Sequence, residues 1–410
     1  TAEQFYELTQ LKPSYKVFTH ETDYNVETWP EVAETFDSLD PGSSKRLEKF
    51  LRQSEKEYRT AREGILTQTG LHKGDAWKLM LSRNARRSIQ DRIAKVTKNQ
   101  DLQHILEFMT VTLGGSPKMI PALYAPLSYI DLGIGAWYPK GGFGAVVKAF
   151  QTIAKKAGVT IQTNAAVERI LTDHHHVSGV VVNGEAIACD LVVAAADYHH
   201  VESQLLEKHD QSYHEKFWQK RTMSPSAMLA YIGVKKQLPG LHHHNLLFDV
   251  SWDRHIAQMF DTKEWSTKPS VYVGNPTKSD PSFAPKGMET LVVMAPMANG
   301  LDPTDEQLER TTLSIIGRLQ EELGYEFIND IVVADVKAQG YFAQSFNAYQ
   351  GSAFGLSHTL AQSGHRRPKM KSGKVHGLYF AGQDTNPGTG VPMVILSGKI
   401  VADLIQKTEH

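Results

Sequence analysis

Near the carboxyl end, a short apolar run, Leu378-Tyr379-Phe380-Ala381, enters a turn with glycine at 382, 388 and 390. That turn enters a helical stretch over residues 392–405. A strand, turn and helix in such short order leave the chain little freedom. The strand must be buried, and glycines at the turn let backbone approach a neighbour closely. Pro392 suits a first helical position, where its missing N–H costs nothing. The free N–H groups and positive dipole end of the helix favour an anion or an electron-rich ring edge. Gly398, Ala402, Ile395 and Leu396 permit close packing on a sheet. Spacing alone fits a ligand cradle and a plain packing unit equally well.

Upstream, helix and strand alternate. Lys140-Gly141-Gly142-Phe143-Gly144 reads as a turn into a helix over 145–157. Strands are expected over 159–162, 166–172, 177–182 and 191–195, the last apolar throughout, as for a strand buried on both faces. This alternation predicts an α/β nucleotide-binding core. Elsewhere strands are expected over 16–19, 227–234 and 290–295, and helices over 38–64, 75–98, 101–113 and 305–323. In the last of these, Leu308, Thr312, Ile315, Ile316 and Leu319 share one face. A net charge of −1 supplies no overall field toward nucleic acid or anionic lipid. The one cysteine, Cys189, excludes an internal disulfide framework. No stretch reaches the roughly 18 to 20 uncharged apolar residues needed to span a bilayer.

Several segments point the same way. They are the 382–394 turn, Trp137-Tyr138-Pro139-Lys140-Gly141-Gly142, and the 190–197 strand ending in Ala195-Ala196-Asp197. To these are added the 241–249 segment with Asn245-Leu246-Leu247-Phe248, and Asn347-Ala348-Tyr349-Gln350-Gly351-Ser352-Ala353-Phe354. In this order, over almost the whole chain, they resemble the bacterial phytoene desaturases and carotenoid 3,4-desaturases. Those are FAD-dependent members of the amine-oxidase-like flavoproteins. The resemblance implies an α/β plus α+β fold: a Rossmann-like FAD-binding core, a mixed-sheet substrate domain and a helical membrane-associated subdomain. It divides the chain into substrate-domain pieces at 1–39 and 201–345, a helical subdomain at 40–136, and FAD-binding pieces at 137–200 and 346–410. The family's GxGxxG turn is absent from the sequence, and Thr1 corresponds to a point well inside the family's sequence. The Rossmann-like core is therefore expected to be incomplete at its N-terminus, and these 410 residues alone to bind FAD weakly.

By the same resemblance, Gly382, Gln383 and Asp384 approach the pyrophosphate and ribityl chain. Gly390, Val391, Pro392 and Met393 lie along the isoalloxazine, with Met393 standing where many members have glycine. Val167 is the expected adenine contact or, equally, a core valine. The implied chemistry takes a hydride to flavin and a proton from the neighbouring carbon of a polyene, which needs few protein groups; no catalytic residue is assigned. The implied substrate is a carotenoid, either phytoene or a hydroxylated or monocyclic one such as hydroxy-γ-carotene. Oxygen or a quinone is the implied electron acceptor, and nucleic acid is not an expected partner. A flavin-dependent isomerase or amine oxidase, and a non-catalytic carotenoid carrier, are the competing readings.

Residues 75–98 place Trp77, Leu81, Ala85, Ile89 and Ile93 at steps of four among Lys78, Arg83, Arg86, Arg87, Arg92, Lys95 and Lys98. Such a basic amphipathic helix is expected to dock on a membrane surface or to be an ordinary solvated helix. The first alternative fits a peripheral protein at the cytoplasmic side of the inner membrane. Residues 119–138 are a candidate tunnel wall or core. His174 to His176 and His242 to His244 lack the partner spacing of a structural zinc site, so no metal is expected. The basic run over 365–369 reads as a solvated loop.

Overall fold

The computed structural model describes residues 2–67 and 82–408. Among them, the largest sheet has seven strands. Their order is Ile331–Lys337, Ser226–Val234, Glu289–Met297, Val271–Gly274, His244–Phe248, Tyr15–Thr19 and Asp23–Val26. Neighbours run antiparallel except His244–Phe248 beside Tyr15–Thr19, which is parallel. The period-two alternation of strand side chains gives the sheet two buried faces. Tyr15, Val17, Leu246 and Phe248 point into a helical layer that contributes Leu47, Phe50, Ile89, Ile93, Leu102 and Ile105. Phe18, Leu247, Val271, Val273, Leu291 and Val293 pack under Ile315, Ile316 and Leu319 of the helix Asp305–Leu323. That helix starts at a Thr304–Gln307 capping box and stops at Gly324, whose φ of 73° is left-handed.

The α/β part surrounds two parallel strands, Val192–Ala194 and Leu378–Phe380. Beside them lie the meander Val167–Asp173, His176–Val182 and Glu185–Ala188, and the helices Gly142–Lys156 and Val391–Thr408. Gly141 and Gly142, both at positive φ, make the turn into the first helix, and Asp280 accepts a hydrogen bond from the Gly141 N–H at 2.9 Å.

Three expectations need correction. Residues 159–162 form no strand; Val159 and Ile161 are 53% and 43% exposed, with no partner strand alongside among the described residues. The 191–195 strand is not covered on both faces, since Val193 is 46% exposed while Leu378 and Tyr379 are fully buried. The continuous helix over 75–98 does not persist through its described half. Trp77, Lys78 and Leu81 lie outside the described residues, and from 82 onward two short helices, Arg83–Arg86 and Ile89–Ile93, replace it. The break has a local cause: Ser88 and Asp91 form a capping box that starts a new helix. Ala85, Ile89 and Ile93 are core residues. Arg92 is buried too, paired with Glu57 at 2.8 Å and donating to the Ala122 carbonyl at 3.2 Å. No helix among the described residues is long and apolar enough to cross a membrane.

Candidate functional site

The glycine turn follows from how its two flanking elements are fixed. Leu378, Tyr379 and Phe380 are buried, and the Phe380 ring stacks on Tyr198 with centroids 3.9 Å apart. The Ala381 N–H extends the parallel ladder to the Ala194 carbonyl at 3.0 Å. The chain then turns at Gly382, whose N–H donates to the Ser397 hydroxyl at 2.8 Å; that hydroxyl donates onward to the Val394 carbonyl at 2.6 Å. One serine thus ties the end of the strand to the start of the C-terminal helix. Gly382, Gly388 and Gly390 sit at φ 120°, 120° and 106°, where L side chains are strained. Beside Gly382 and Gly390 the space is open, whereas a Cβ on Gly388 would collide with His358 Nε2.

Underneath the turn lies a buried polar cluster. Arg367 is 3% exposed, and its guanidinium donates to four main-chain carbonyls. These are Gln383 at 2.6 Å, Thr385 at 3.0 Å, Leu356 at 3.2 Å and Gln362 at 3.4 Å. Two of the four belong to the turn itself. The carboxylate of Asp384 points inward and accepts from the Leu356 N–H at 2.9 Å. Asp197 accepts from the N–H groups of His200 at 2.9 Å and Tyr349 at 3.1 Å. Burial and then the Asp384 charge push the Asp197 carboxyl up to about 7. Burial raises Asp384 as well, opposed by the neighbouring Arg367 charge. Burial holds His358 near 3, so it is a neutral imidazole wedged between Leu113, Tyr124 and Gly388.

Above the turn the surface is apolar. Val391 and Ile395 face Phe143, Val147, Phe150 and Ile161 across an open groove of about 500 Å³. Gly382, Gln383, Asp384, Gly390, Val391, Pro392 and Met393 are therefore gathered on one turn and helix start. Val391 is exposed, Met393 half-buried and the Asp384 side chain buried. Val167, 39% exposed, lies apart on the meander, which joins this region through the His176–His376 bridge. The donor set fits a flavin nucleotide. It offers an open glycine backbone, a helix N-terminus and an apolar wall for a planar ring.

Sequence reasoning missed the support of this turn. Arg367 sits in the basic run read as a solvated loop, yet it is the clamp. Its partners are main-chain carbonyls of Leu356, Gln362, Gln383 and Thr385, gathered around it by the fold, so no local periodicity could reveal it. His243 and His244 are likewise packed, against Ser279 and Tyr272 at 2.7 Å each.

The flavin containing amine oxidoreductase family matches residues 8–406. A carotenoid 3,4-desaturase of Haloarcula japonica is 34% identical over 98% of this chain and 83% of its own. A zeta-carotene-forming phytoene desaturase of Myxococcus xanthus is 30% identical over 100% of this chain and 80% of its own. Among solved structures, an oxidoreductase from Methanosarcina mazei superposes with a TM-score of 0.59 at 15% identity, covering 99% of this chain and 83% of that one. Order of motifs, fold and whole-length similarity agree: the chain belongs to the flavin containing amine oxidoreductases, as one of their FAD-dependent carotenoid desaturases.

Proposed function

We propose that this chain introduces a 3,4 double bond into a hydroxylated or monocyclic carotenoid such as hydroxy-γ-carotene. The observation that carries the reading is the 34% identity, over 98% of the chain, to a carotenoid 3,4-desaturase. Phytoene desaturation is the second reading, favoured by the 30% identity to the Myxococcus enzyme.

When bound, FAD supplies the two-electron acceptor for removal of hydrogen from adjacent carbons. Gly382, Gln383 and Asp384 would hold its phosphates and ribityl chain, Asp384 through main chain alone because its carboxylate is occupied below. Gly390, Val391, Pro392 and Met393 would orient the ring, and Val167 would meet the adenine. The Arg367 clamp keeps the turn in one shape, and the apolar wall above it excludes water. No acid–base residue is assigned. Oxygen or a quinone would be the final electron acceptor. Contact with the inner membrane is peripheral and runs through the basic surface around Arg86, Lys95 and Lys98, all exposed.

Incubating the protein with FAD, liposomes and either phytoene or hydroxy-γ-carotene tests the reading, with product chromophores followed by absorbance. A red-shifted product from the hydroxylated carotenoid alone is expected. Conversion of phytoene alone replaces the first reading by the second. Conversion of neither, with FAD bound, removes both.

A further inference from the structure

Away from the flavin turn, two imidazoles and a carboxylate meet at the outer end of the Val167–Asp173/His176–Val182 hairpin. His175 stands in the hairpin turn at φ 62°, and its main chain is fixed because its carbonyl accepts from the His376 N–H at 2.8 Å. His209 and Asp210 come from a separate short turn, Lys208–Asp210. The Asp210 side chain is fully buried, while the side chains of His175 and His209 are 54% and 67% exposed. Thr172 donates to Asp210 Oδ2 at 2.7 Å and so orients the carboxylate. His175 Nδ1 lies 2.5 Å from Asp210 Oδ1, and His209 Nε2 lies 3.6 Å from Oδ2. One ligand atom from each of the three residues lies within 4.8 Å of the others.

We propose that His175, His209 and Asp210 form a surface site for a divalent transition-metal ion of the zinc, nickel or copper type. Two neutral imidazoles with one carboxylate suit those ions, whereas magnesium and calcium require mostly oxygen donors. Zinc holds such ligands at roughly 2.0 to 2.2 Å, so neighbouring donors on one ion lie about 3.3 Å apart. The donor separations here, from 2.5 Å to at most 4.8 Å, bracket that spacing. Open positions remain for water, since two of the three side chains face solvent. A buried carboxylate oriented by a hydroxyl is the fixed point of the site. The exposed imidazoles close on it and clip the hairpin turn to the 208–210 turn. The histidine run alone could not suggest this, because its partners lie more than thirty residues downstream.

Calorimetric titration of the whole chain with Zn²⁺, and the visible spectrum with Co²⁺, test the assignment. One ion per chain is expected. His209→Ala should weaken Zn²⁺ binding at least tenfold. His175→Asn, which tolerates the left-handed backbone, should do the same. His174→Asn, at a side chain 95% exposed and outside the cluster, on the same left-handed backbone, should leave binding unchanged. Equal affinity in wild type and both cluster variants, or equal loss in the His174 control, overturns the site. Retained heat-unfolding midpoints in the metal-free variants separate lost ligation from misfolding.

Discussion

At the scale of single residues, Arg367 decides whether the flavin turn has one shape. Its guanidinium donates to four main-chain carbonyls, two of them in the turn. Arg367→Met should therefore destabilise the fold by about 2–4 kcal/mol, the scale of lost charged hydrogen bonds in a buried setting. It should also raise the FAD dissociation constant at least tenfold. Arg367→Lys should be only a partial rescue, because an ammonium cannot span the planar fork. Urea denaturation with flavin titration reads both, and wild-type values in both variants would remove the clamp from the account. Glu107 makes a separate prediction. It is 2% exposed, its Oε1 lacks a hydrogen-bond partner among the described residues, and burial pushes its carboxyl up to about 7. A carboxyl raised on folding stabilises the native state fully below its unfolded value near 4.5. That contribution is lost as pH rises toward 7. The maximum effect is roughly 3 kcal/mol. Glu107→Gln should gain stability over wild type at pH 8 and little at pH 4.5, as measured by unfolding midpoints at the two pH values.

Among the secondary-structure elements, the basic segment is where a mutation series must respect the fold. Arg92 holds Glu57 and the Ala122 carbonyl inside the helical layer, so reversing its charge would test folding and not docking. Arg86, Lys95 and Lys98 are the exposed charges. Each basic residue near an anionic bilayer contributes about 1 kcal/mol. The triple change to glutamate should therefore weaken co-sedimentation with anionic liposomes at least roughly tenfold without moving the unfolding midpoint. Undiminished sedimentation would place the membrane contact elsewhere. The same segment marks how far sequence reading reaches. The helix Asp305–Leu323 was legible because its apolar residues, Leu308, Thr312, Ile315, Ile316 and Leu319, recur on one face. The strand Leu378–Phe380 and the turn after it were legible because an apolar run and spaced glycines sit side by side. The continuous 75–98 helix failed beyond 82 because apolar spacing, though Ala85, Ile89 and Ile93 are all buried, is blind to a capping box that starts a separate helix at 89. The 159–162 run failed because β-propensity has no effect without a neighbour to complete the ladder. Arg367 and the His175–His209–Asp210 cluster were beyond reach for a different reason: their partners are set by tertiary contact.

Over the whole molecule, the uneven distribution of apolar surface stands out most. The central strands of the seven-stranded sheet, Glu289–Met297, Val271–Gly274 and His244–Phe248, are buried or half-buried throughout, but the flavin side is open. Phe143, Val147 and Phe150 on one helix are 48–63% exposed, and Val391 and Ile395 on the other are 45% and 43% exposed. They line one groove and are not scattered. A contiguous apolar surface of this kind marks a place where something binds, and here it adjoins the turn proposed to hold FAD. An environment-sensitive apolar dye should therefore bind the folded 410-residue chain, and Phe150→Lys should sharply reduce its emission. Because the phenylalanine is half exposed, the change should leave stability within about 0.5 kcal/mol of wild type. The combination matters: lost dye signal at unchanged stability locates the apolar surface in this groove. Unchanged dye emission would mean that the groove is closed in solution, and with it the wall proposed to shield the isoalloxazine from water.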